Sequence, residues 1–332
     1  MIKRLLLVVI LLVGAAAAFV WFQYQHFLSS SLEFDPPERV FTLEKGWSAK
    51  RLGQALQGEG ILQSTVWFDV YMRLSGQSAA LQAGEYALES GLTPVALVSL
   101  FTRGEVTRYN FTIIEGWTYR QLREVMAANE VLVQTLTDMD DEAIMRAIGK
   151  PGVHPEGQFL PDTYHFPKGM TDLDLLQKAS DALDAALDQA WQDRQQDIPL
   201  KSPYEALILA SIIEKETGVA AERPQIAGVF TRRLQKGMRL QTDPTVIYGM
   251  GERFDGNIRR KDLRTDTPYN TYTRKGLPPT PIALAGADAL HAAVHPLDGD
   301  ALFFVSRGDG THVFSATVKE HNAAVRKYQL KR

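Results

Sequence analysis

The N-terminal segment constrains this chain most strongly, because it consists almost entirely of apolar side chains. After the basic start MIKR, residues 5–22 have the sequence LLLVVILLVGAAAAFVWF and carry no charge. At about 1.5 Å per helical residue, such a run is near the minimum length for crossing a bilayer. Positive charge before the run favours a cytoplasmic N-terminus, with the rest of the chain on the other side. We therefore predict a transmembrane anchor over residues 1–25.

A cleaved signal peptide is the alternative interpretation, since Ala15–Ala18 could form a small-residue cleavage site. Against cleavage, Phe19, Trp21, Phe22 and Tyr24 extend the apolar run and form the kind of aromatic cluster found at membrane interfaces. The sequence therefore favours an uncleaved, single-pass anchor.

Composition narrows the possible chemistry. The chain has 332 residues with 45% hydrophobic content, which is enough to bury the cores of two folded domains. Its formal net charge of -3, without a dense basic patch, makes nucleic acid an unexpected partner. Cysteine is absent, which excludes disulfides, thiolate nucleophiles and cysteine-based metal sites. Any catalysis must use oxygen or nitrogen groups.

One template occurs three times in the first half of the chain: FTLEKGWSAKRL (41–52), YALESGLTPVAL (86–97) and FTIIEGWTYRQL (111–122). Each predicts a strand that ends at a glycine turn, followed by a Ser or Thr N-cap that opens a helix. The pattern has two alternative explanations. It reflects either favourable chemistry for strand-to-helix turns alone, or a small β/α binding module. The tract 26–37, with two adjacent prolines, is typical of a linker.

The second half mixes helices and short strands. Residues 172–194 predict a long amphipathic helix, since their leucines recur at helical spacing. Leu302–Val305 and His312–Phe314 predict a hairpin, and a last helix is expected after Thr317. The predicted fold class is therefore α+β.

The segment SIIEKET (211–217) places two carboxylates at the end of an aliphatic helix. Residues two apart on a helix point in nearly opposite directions, so Glu214 and Glu216 cannot face the same cleft. Glu216 continues the aliphatic stripe of Ile212 and Ile213, where poor hydration of the charged form should raise its pKa toward that of a useful general acid. Glu216 is therefore the candidate catalytic residue, and a solvated helix end balanced by Lys215 is the alternative.

Other motifs are individually weaker. QTDPT (241–245) and YNTY (269–272) combine tyrosine rings with amide and hydroxyl groups, which suits a sugar ligand. Core tyrosines and Asx turns would explain each motif separately. Glu222 and Arg223 are expected to cap and pair around the start of the helix that follows, and a catalytic role is the alternative that stays open. His291 and His295 lie four apart but lack the HExxH glutamate, so no metal site is predicted.

The order of the motifs EKE, QTDPT, YNTY and GLPPTPI (276–282) closely resembles the endolytic murein transglycosylase family, also called YceG-like. The resemblance covers nearly the whole chain and includes EGQFLPDTY (156–164), where Gln158 departs from the expected apolar residue. In that family the second glutamate of EKE is catalytic, which is Glu216 here. The resemblance also implies substrate-binding or orienting roles for Gln241, Asp243, Tyr248, Tyr269, Asn270 and Tyr272.

The resemblance further implies a domain organisation and a location. We expect an anchor at 1–25, a linker at 26–37, a LysM-like module at 38–106 and a catalytic domain at 107–332. The expected location is the inner membrane, with the catalytic part in the periplasm. Peptidoglycan glycan strands are the implied substrate, penicillin-binding synthases are possible partners, and no cofactor is implied.

The implied chemistry is non-hydrolytic cleavage of the MurNAc-GlcNAc β-1,4 bond within nascent strands, with Glu216 as general acid and base. The products carry 1,6-anhydro-MurNAc ends, and such an enzyme can act as a terminase of glycan polymerisation. Two alternatives stay open: a hydrolytic muramidase that uses Glu216 and Asp243, and a non-enzymatic scaffold that binds peptidoglycan.

Overall fold

A computed structural model describes residues 2–330, and it contains both helices and short strands, as the α+β prediction requires. The chain divides into two compact units. The first comprises Met1–Tyr109 with His165–Gly169, and the second comprises Asn110–Tyr164 with Met170–Arg332. The division falls inside two strands, β3 (Arg108–Thr112) and β4 (Thr163–Pro167), which form a two-stranded sheet.

The predicted N-terminal apolar helix is present as α1 (Ile2–Ser29). Its length and its mean hydropathy of 2.9 over 18 residues suffice to cross a membrane, and none of that window is buried in protein. The helix continues beyond residue 25, where the predicted anchor ends. Near its C-terminus, Tyr24, Phe27 and Leu28 pack against the core of the first unit.

The core of the first unit lies beneath an antiparallel pair of strands. Phe41 pairs with Tyr86 across the two strands, and both side chains are fully buried. The ring of Phe101 packs against both, at 5.8 Å from Phe41 and 4.7 Å from Tyr86. The elements after α1 are β1 (Glu38–Leu43), α2 (Ala49–Gly58), α3 (Val66–Ser75), β2 (Gly84–Glu89) and α4 (Pro94–Arg103).

All three copies of the sequence template form the predicted strand, turn and helix. The glycine in each copy has positive φ, +85°, +98° and +76° in chain order, a conformation that side chains with a Cβ rarely adopt. Ser48, Thr93 and Thr118 then accept the backbone N–H three residues ahead and so cap α2, α4 and α5 (Tyr119–Ala127). The prediction is confirmed because it depends on local turn chemistry.

The second unit is mainly helical. It contains the long helix expected near residue 172, a central helix with the EKE segment, and a C-terminal hairpin followed by the predicted last helix. Besides α5, its helices are α6 (Asp141–Ala147), α7 (Asp172–Gln192), α8 (Pro203–Glu216), α9 (Arg223–Gln235), α10 (Asp243–Met250), α11 (Ala287–Val294) and α12 (Val318–Tyr328). Its hairpin consists of β5 (Phe303–Ser306) and β6 (His312–Ser315).

Helix α8 forms the centre of the second unit. Every residue from 206 to 213 is buried, because α7, α9 and α11 all pack against this helix. A helix that is apolar all around its circumference is stable only in such a surrounded position. Its N-terminus is fixed by Ser202, which accepts the backbone N–H of Glu205, and by Pro203 at the first helical position. The aliphatic segment thus holds the end of the helix rigidly in place.

Candidate active site

Glu216 is the last residue of α8, and its side chain emerges from the core where the helix ends. Thr217 is extended, and its backbone N–H still donates to the carbonyl of Ile213, which completes the final turn. Glu216 is partly buried, and it lies in the wall of a cavity. A rigid core helix therefore presents one carboxyl at the edge of a cleft, as the helical-face argument predicts.

A cluster of buried threonines fixes the segment that faces Glu216. The Thr242 backbone N–H donates to Thr271 Oγ1 at 3.1 Å, and the Thr245 and Thr271 hydroxyls lie 2.9 Å apart. The Thr242 hydroxyl donates to Glu216 Oε1. QTDPT and YNTY are distant in sequence, yet these bonds bring both motifs to the end of α8.

The backbone beside Glu216 is strained at one position. Gln241 has φ of +53°, the only positive φ of a non-glycine residue in the described chain. The conformation is held by a hydrogen bond of 3.2 Å from its N–H to the carbonyl of Thr271. Residues kept in this sparsely populated region tend to cluster at functional sites, because packing must offset the strain.

Burial raises the pKa of Glu216 from its ordinary value of 4.5 to about 7. The Thr242 hydrogen bond opposes this rise and the negative charge of Asp243 adds to it, while His312 and Arg233 lower the pKa. Loss of hydration therefore outweighs the favourable contacts of the charged form. A carboxyl with such a pKa is partly protonated near neutral pH and can donate a proton.

The cavity at Glu216 has a volume of about 610 Å³ and lies within the second unit. Of the predicted substrate-binding residues, Gln241, Asp243 and Tyr272 line it. The Tyr272 hydroxyl donates to Asp243 Oδ1 at 2.5 Å, and this contact contributes to the raised pKa of Tyr272 after burial. Other lining residues that sequence reasoning did not select include Arg233, Phe303, Phe304, His312 and His321.

The other three predicted binding residues do not line this cavity. Asn270 is buried, and its side-chain amide donates to the carbonyls of Asp262 and Thr265, at 3.1 and 2.7 Å. Its side-chain oxygen accepts the N–H of Tyr272 at 2.9 Å, so Asn270 shapes the loop that carries Tyr272. Tyr248 and Tyr269 pack edge to face, with ring centroids 4.9 Å apart.

Tyr248 also neighbours a second unusual carboxyl. Glu156 is buried, and its Oε1 accepts the backbone N–H of Tyr119 at 2.9 Å. Burial raises the pKa of Glu156 to about 7, against hydrogen bonds from Tyr119, Tyr248 and Gly157 that favour the charged form. Glu156 does not line the cavity at Glu216, and its contacts identify it as part of the framework around α5 and α10.

Glu214 points away from the cavity and is not solvated. It is buried and forms an ion pair of 3.2 Å with Arg223, while its Oε2 accepts the backbone N–H of Gly286 at 3.0 Å. Arg223 also pairs with Glu115 and Asp288, each at 3.1 Å. The alternative of a solvated helix end is therefore wrong for both glutamates, and Glu214 is a structural residue that anchors the end of α8.

The expectation that Glu222 and Arg223 cap and pair around the next helix is also wrong. Glu222 makes no capping bond to α9, and Arg223 pairs with carboxylates of other segments. Glu222 instead contacts His312 on the hairpin, at 2.7 Å between Oε2 and Nδ1. Sequence could not reveal the contact between Glu222 and His312, because the two are separated by 90 residues.

Among residues 2–330, no group of three or more His, Asp or Glu side chains is arranged to hold a metal ion. His291 and His295, the pair considered from the sequence, stack ring on ring with centroids 4.2 Å apart. His295 also bonds the carbonyl of Asp193 at 2.7 Å through Nε2.

The chain is similar to known proteins in sequence and in fold. Residues 41–327 match the model of the YceG-like family. A Bacillus subtilis protein named endolytic murein transglycosylase is 34% identical over 96% of this chain and 91% of its own length. A Streptococcus pneumoniae protein of the same name is 25% identical over 90% of this chain, which spans 60% of that relative.

A solved structure agrees with the sequence relatives. The crystal structure of a putative YceG-like protein from Listeria monocytogenes superposes with a TM-score of 0.57 at 30% identity. The match covers 87% of this chain and 99% of that one. The resemblance noted from the motifs is thereby confirmed, and the chain belongs to the YceG-like family.

Proposed function

We propose that this protein is an endolytic peptidoglycan lytic transglycosylase with Glu216 as its general acid. The observation that carries the proposal is the position of Glu216: a carboxyl with a pKa of about 7 at the wall of a cavity of about 610 Å³. Membership of a family whose relatives are named endolytic murein transglycosylases supports the same activity.

The proposed reaction cleaves the MurNAc-GlcNAc β-1,4 bond inside a glycan strand. Protonated Glu216 donates its proton to the glycosidic oxygen as that oxygen leaves C1. The 6-hydroxyl of the same muramic acid attacks C1 and loses its proton, which a single-carboxyl route returns to Glu216. The products are a new GlcNAc end and a 1,6-anhydro-MurNAc end, so the enzyme can terminate nascent strands.

Substrate contacts are proposed for the three lining residues Gln241, Asp243 and Tyr272. Tyr272 offers a ring face and Asp243 an exposed carboxylate, a combination that suits a sugar with apolar faces and a rim of hydroxyls. For Asn270, Tyr248 and Tyr269 we propose an indirect role, in which they order the loops on either side of the cavity.

The proposed setting is the inner membrane. The apolar helix α1 supports an anchor near residues 1–25, followed by a linker at 26–37, and we place the catalytic domain, 107–332, in the periplasm. Residues 38–106 are proposed to form a LysM-like module that contacts glycan. Penicillin-binding synthases are the proposed partners, since an enzyme that cuts nascent strands must work where strands are made.

A hydrolytic muramidase is the second candidate, and one observation favours it. Asp243 lies in the same cavity as Glu216 and influences its pKa, so two carboxyls are available in one site. Hydrolysis with two carboxyls would release reducing ends rather than anhydro ends. The hydrogen bond from Tyr272 to Asp243 instead supports a binding role for that carboxylate.

Mass spectrometry of fragments released from uncrosslinked glycan strands tests the proposal. The wild-type protein should release fragments whose ends are one water lighter than hydrolysed sugar. Glu216→Gln should release none while it keeps the wild-type melting temperature. Glu205→Gln serves as the matched control, because it removes a carboxyl from the first turn of the same helix. Reducing ends would support the muramidase, and full activity of Glu216→Gln would refute the role of Glu216 as the acid in both enzymatic candidates.

A further inference from the structure

The hairpin β5–β6 places a histidine in the cavity, and a carboxylate holds it from behind. Glu222 Oε1 accepts the backbone N–H of His312 at 2.8 Å, and Oε2 accepts the imidazole Nδ1–H at 2.7 Å. Both side chains are only 12% exposed. A carboxylate that binds both the main chain and the ring of one residue fixes the position and the orientation of that ring.

The charge state of Glu222 agrees with this arrangement. Burial alone would raise its pKa, but the hydrogen bonds and charge of His312 outweigh burial, with a further contribution from Arg307. The pKa of Glu222 therefore lies below its ordinary value, and the carboxylate is ionised. An ionised partner accepts the Nδ1–H, which leaves the lone pair of the neutral ring on Nε2.

The ring of His312 lies at the cavity that contains Glu216. His312 and Glu216 line the same cavity and lie close enough for His312 to influence the pKa of Glu216. The ring packs edge to face on Phe304, with centroids 5.4 Å apart. Within residues 2–330 its Nε2 makes no hydrogen bond, so this nitrogen is available to a ligand in the cavity.

Two other polar side chains of the cavity already make hydrogen bonds within the protein. The Arg233 guanidinium donates to the carbonyls of Leu302 and Leu240, and Tyr272 donates to Asp243. His321 also lines the cavity, but burial lowers its pKa and its buried Nδ1 lacks a partner among the described residues. Among the lining histidines, His312 is the one whose Nδ1 is bound by a carboxylate.

We propose that His312, oriented by Glu222, is the base that accepts the proton of the attacking muramic acid 6-hydroxyl. The inference rests on the proposed function and divides its two proton transfers between two residues. Glu216 is the acid on the side of the leaving oxygen, and His312 is the base on the side of the attacking oxygen. Glu222 is a positioning residue, because it acts through His312.

The step balances without any co-reactant. The C1–O4 bond breaks with its electron pair on O4, which takes the proton of Glu216. The O6–H bond breaks, its proton moves to His312 Nε2, and the O6 electron pair forms the new bond to C1. One proton then passes through water from the His312 imidazolium to the Glu216 carboxylate. This transfer restores the neutral imidazole and the protonated Glu216 for the next cycle.

The sharpest test separates the two proton transfers with an activated substrate. In a 4-nitrophenyl β-glycoside of a MurNAc-terminated glycan chain, the leaving group departs without protonation, so the acid becomes dispensable while the base does not. With this substrate Glu216→Gln should keep most of the wild-type kcat. His312→Gln should lower kcat by about 100-fold or more with little change in KM.

Controls and rescue complete the experiment. His291→Gln replaces an exposed histidine outside the cavity and should behave as wild type. Glu222→Gln keeps an acceptor for the His312 backbone but not the charge, and it should lower kcat less than His312→Gln. Added imidazole should partly restore anhydro products to His312→Ala, which a purely structural histidine would not permit.

Two results would overturn the proposal. If His312→Gln changes only KM, the residue binds substrate and does not accept the proton. If Glu216→Gln is inactive on the nitrophenyl glycoside while His312→Gln is active, Glu216 performs both transfers. Either result leaves the proposed function intact, whereas reducing ends from the wild-type protein would refute the transglycosylase function itself.

Discussion

The hydroxyl of Thr242 donates a hydrogen bond to Glu216 Oε1 from a segment 26 residues further along the chain. This bond stabilises the charged carboxylate, yet burial outweighs it and the pKa of Glu216 reaches about 7. The protonation state of Glu216 therefore depends on a balance in which lost hydration is the largest effect and the Thr242 hydroxyl is the largest opposing one. The pH dependence of activity should report that balance.

We expect activity to fall as pH rises through about 7, because the acid form of Glu216 is then lost. Thr242→Val removes a contact that lowers this pKa, so the falling limb should move to higher pH. Initial rates of anhydro-product release between pH 5 and about 9 provide the measurement. If activity of Thr242→Val falls at the same pH as that of the wild-type protein, a group other than Glu216 controls this loss of activity.

Asp243→Asn should leave the chemistry unchanged and shift its pH dependence in the opposite direction. The negative charge of Asp243 raises the pKa of Glu216, so its removal should move the falling limb to lower pH. The fragments should still carry anhydro ends, with a higher KM because a proposed sugar contact is weakened. Complete loss of kcat together with reducing ends in the wild type would favour the two-carboxyl muramidase.

Arg223→Met should destabilise the protein strongly. Arg223 is buried among Glu115, Glu214 and Asp288, and its loss leaves the buried Glu214 carboxylate without its cation. Breaking a buried pair in this way costs about 3–5 kcal/mol of unfolding free energy. Chemical denaturation of the detergent-solubilised protein measures the loss.

Two comparisons make the Arg223 result specific. Arg274→Met breaks the exposed pair with Asp266 and should cost at most about 1 kcal/mol. Adding Glu214→Gln to Arg223→Met should recover part of the lost stability, because the uncompensated charge is removed. If the double variant is as unstable as the single one, lost packing and not charge explains the effect.

Glu156→Gln should change the pH dependence of stability. The pKa of Glu156 in the folded protein is raised from 4.5 to about 7, so the native state holds its proton more tightly than the unfolded chain. The tighter proton binding adds to the unfolding free energy. This stabilisation is fully present below pH 4.5 and is lost as the pH rises through about 7, and the change in pKa corresponds to roughly 3 kcal/mol.

A comparison of the wild-type protein with Glu156→Gln isolates the pH-dependent stabilisation by Glu156. Glutamine stays neutral and can still accept the Tyr119 N–H, so the variant should gain stability relative to wild type as pH rises through this window. Unfolding free energies at pH 5 and pH 8 provide the measurement. An equal difference at both values would contradict a raised pKa at Glu156.

Several predictions from the sequence are confirmed because they depend on neighbours in the chain. Ser48, Thr93 and Thr118 cap their helices as expected, since each needs only a turn and a backbone N–H three residues ahead. Helical geometry likewise separated Glu216, at the cavity, from Glu214, in an ion pair on another side of α8.

Residues involved in long-range contacts were assigned less well. Asn270 carries groups that suit a sugar, yet in the fold its amide is used by the carbonyls of Asp262 and Thr265. Glu222 was expected to cap a helix, and it binds His312 instead. Side-chain chemistry alone cannot tell whether a polar group serves a ligand or the protein itself.

The sequence by itself determined the apolar N-terminal helix, the three strand-to-helix turns and the placement of Glu216 and Glu214 on different sides of α8, because each follows from periodicity and from contacts within a few residues. Only the tertiary structure decided which charges are paired, which carboxyls lose their hydration and that His312 meets the cavity of Glu216. Those properties depend on burial and on contacts between segments that can be 108 residues apart, which no local pattern encodes.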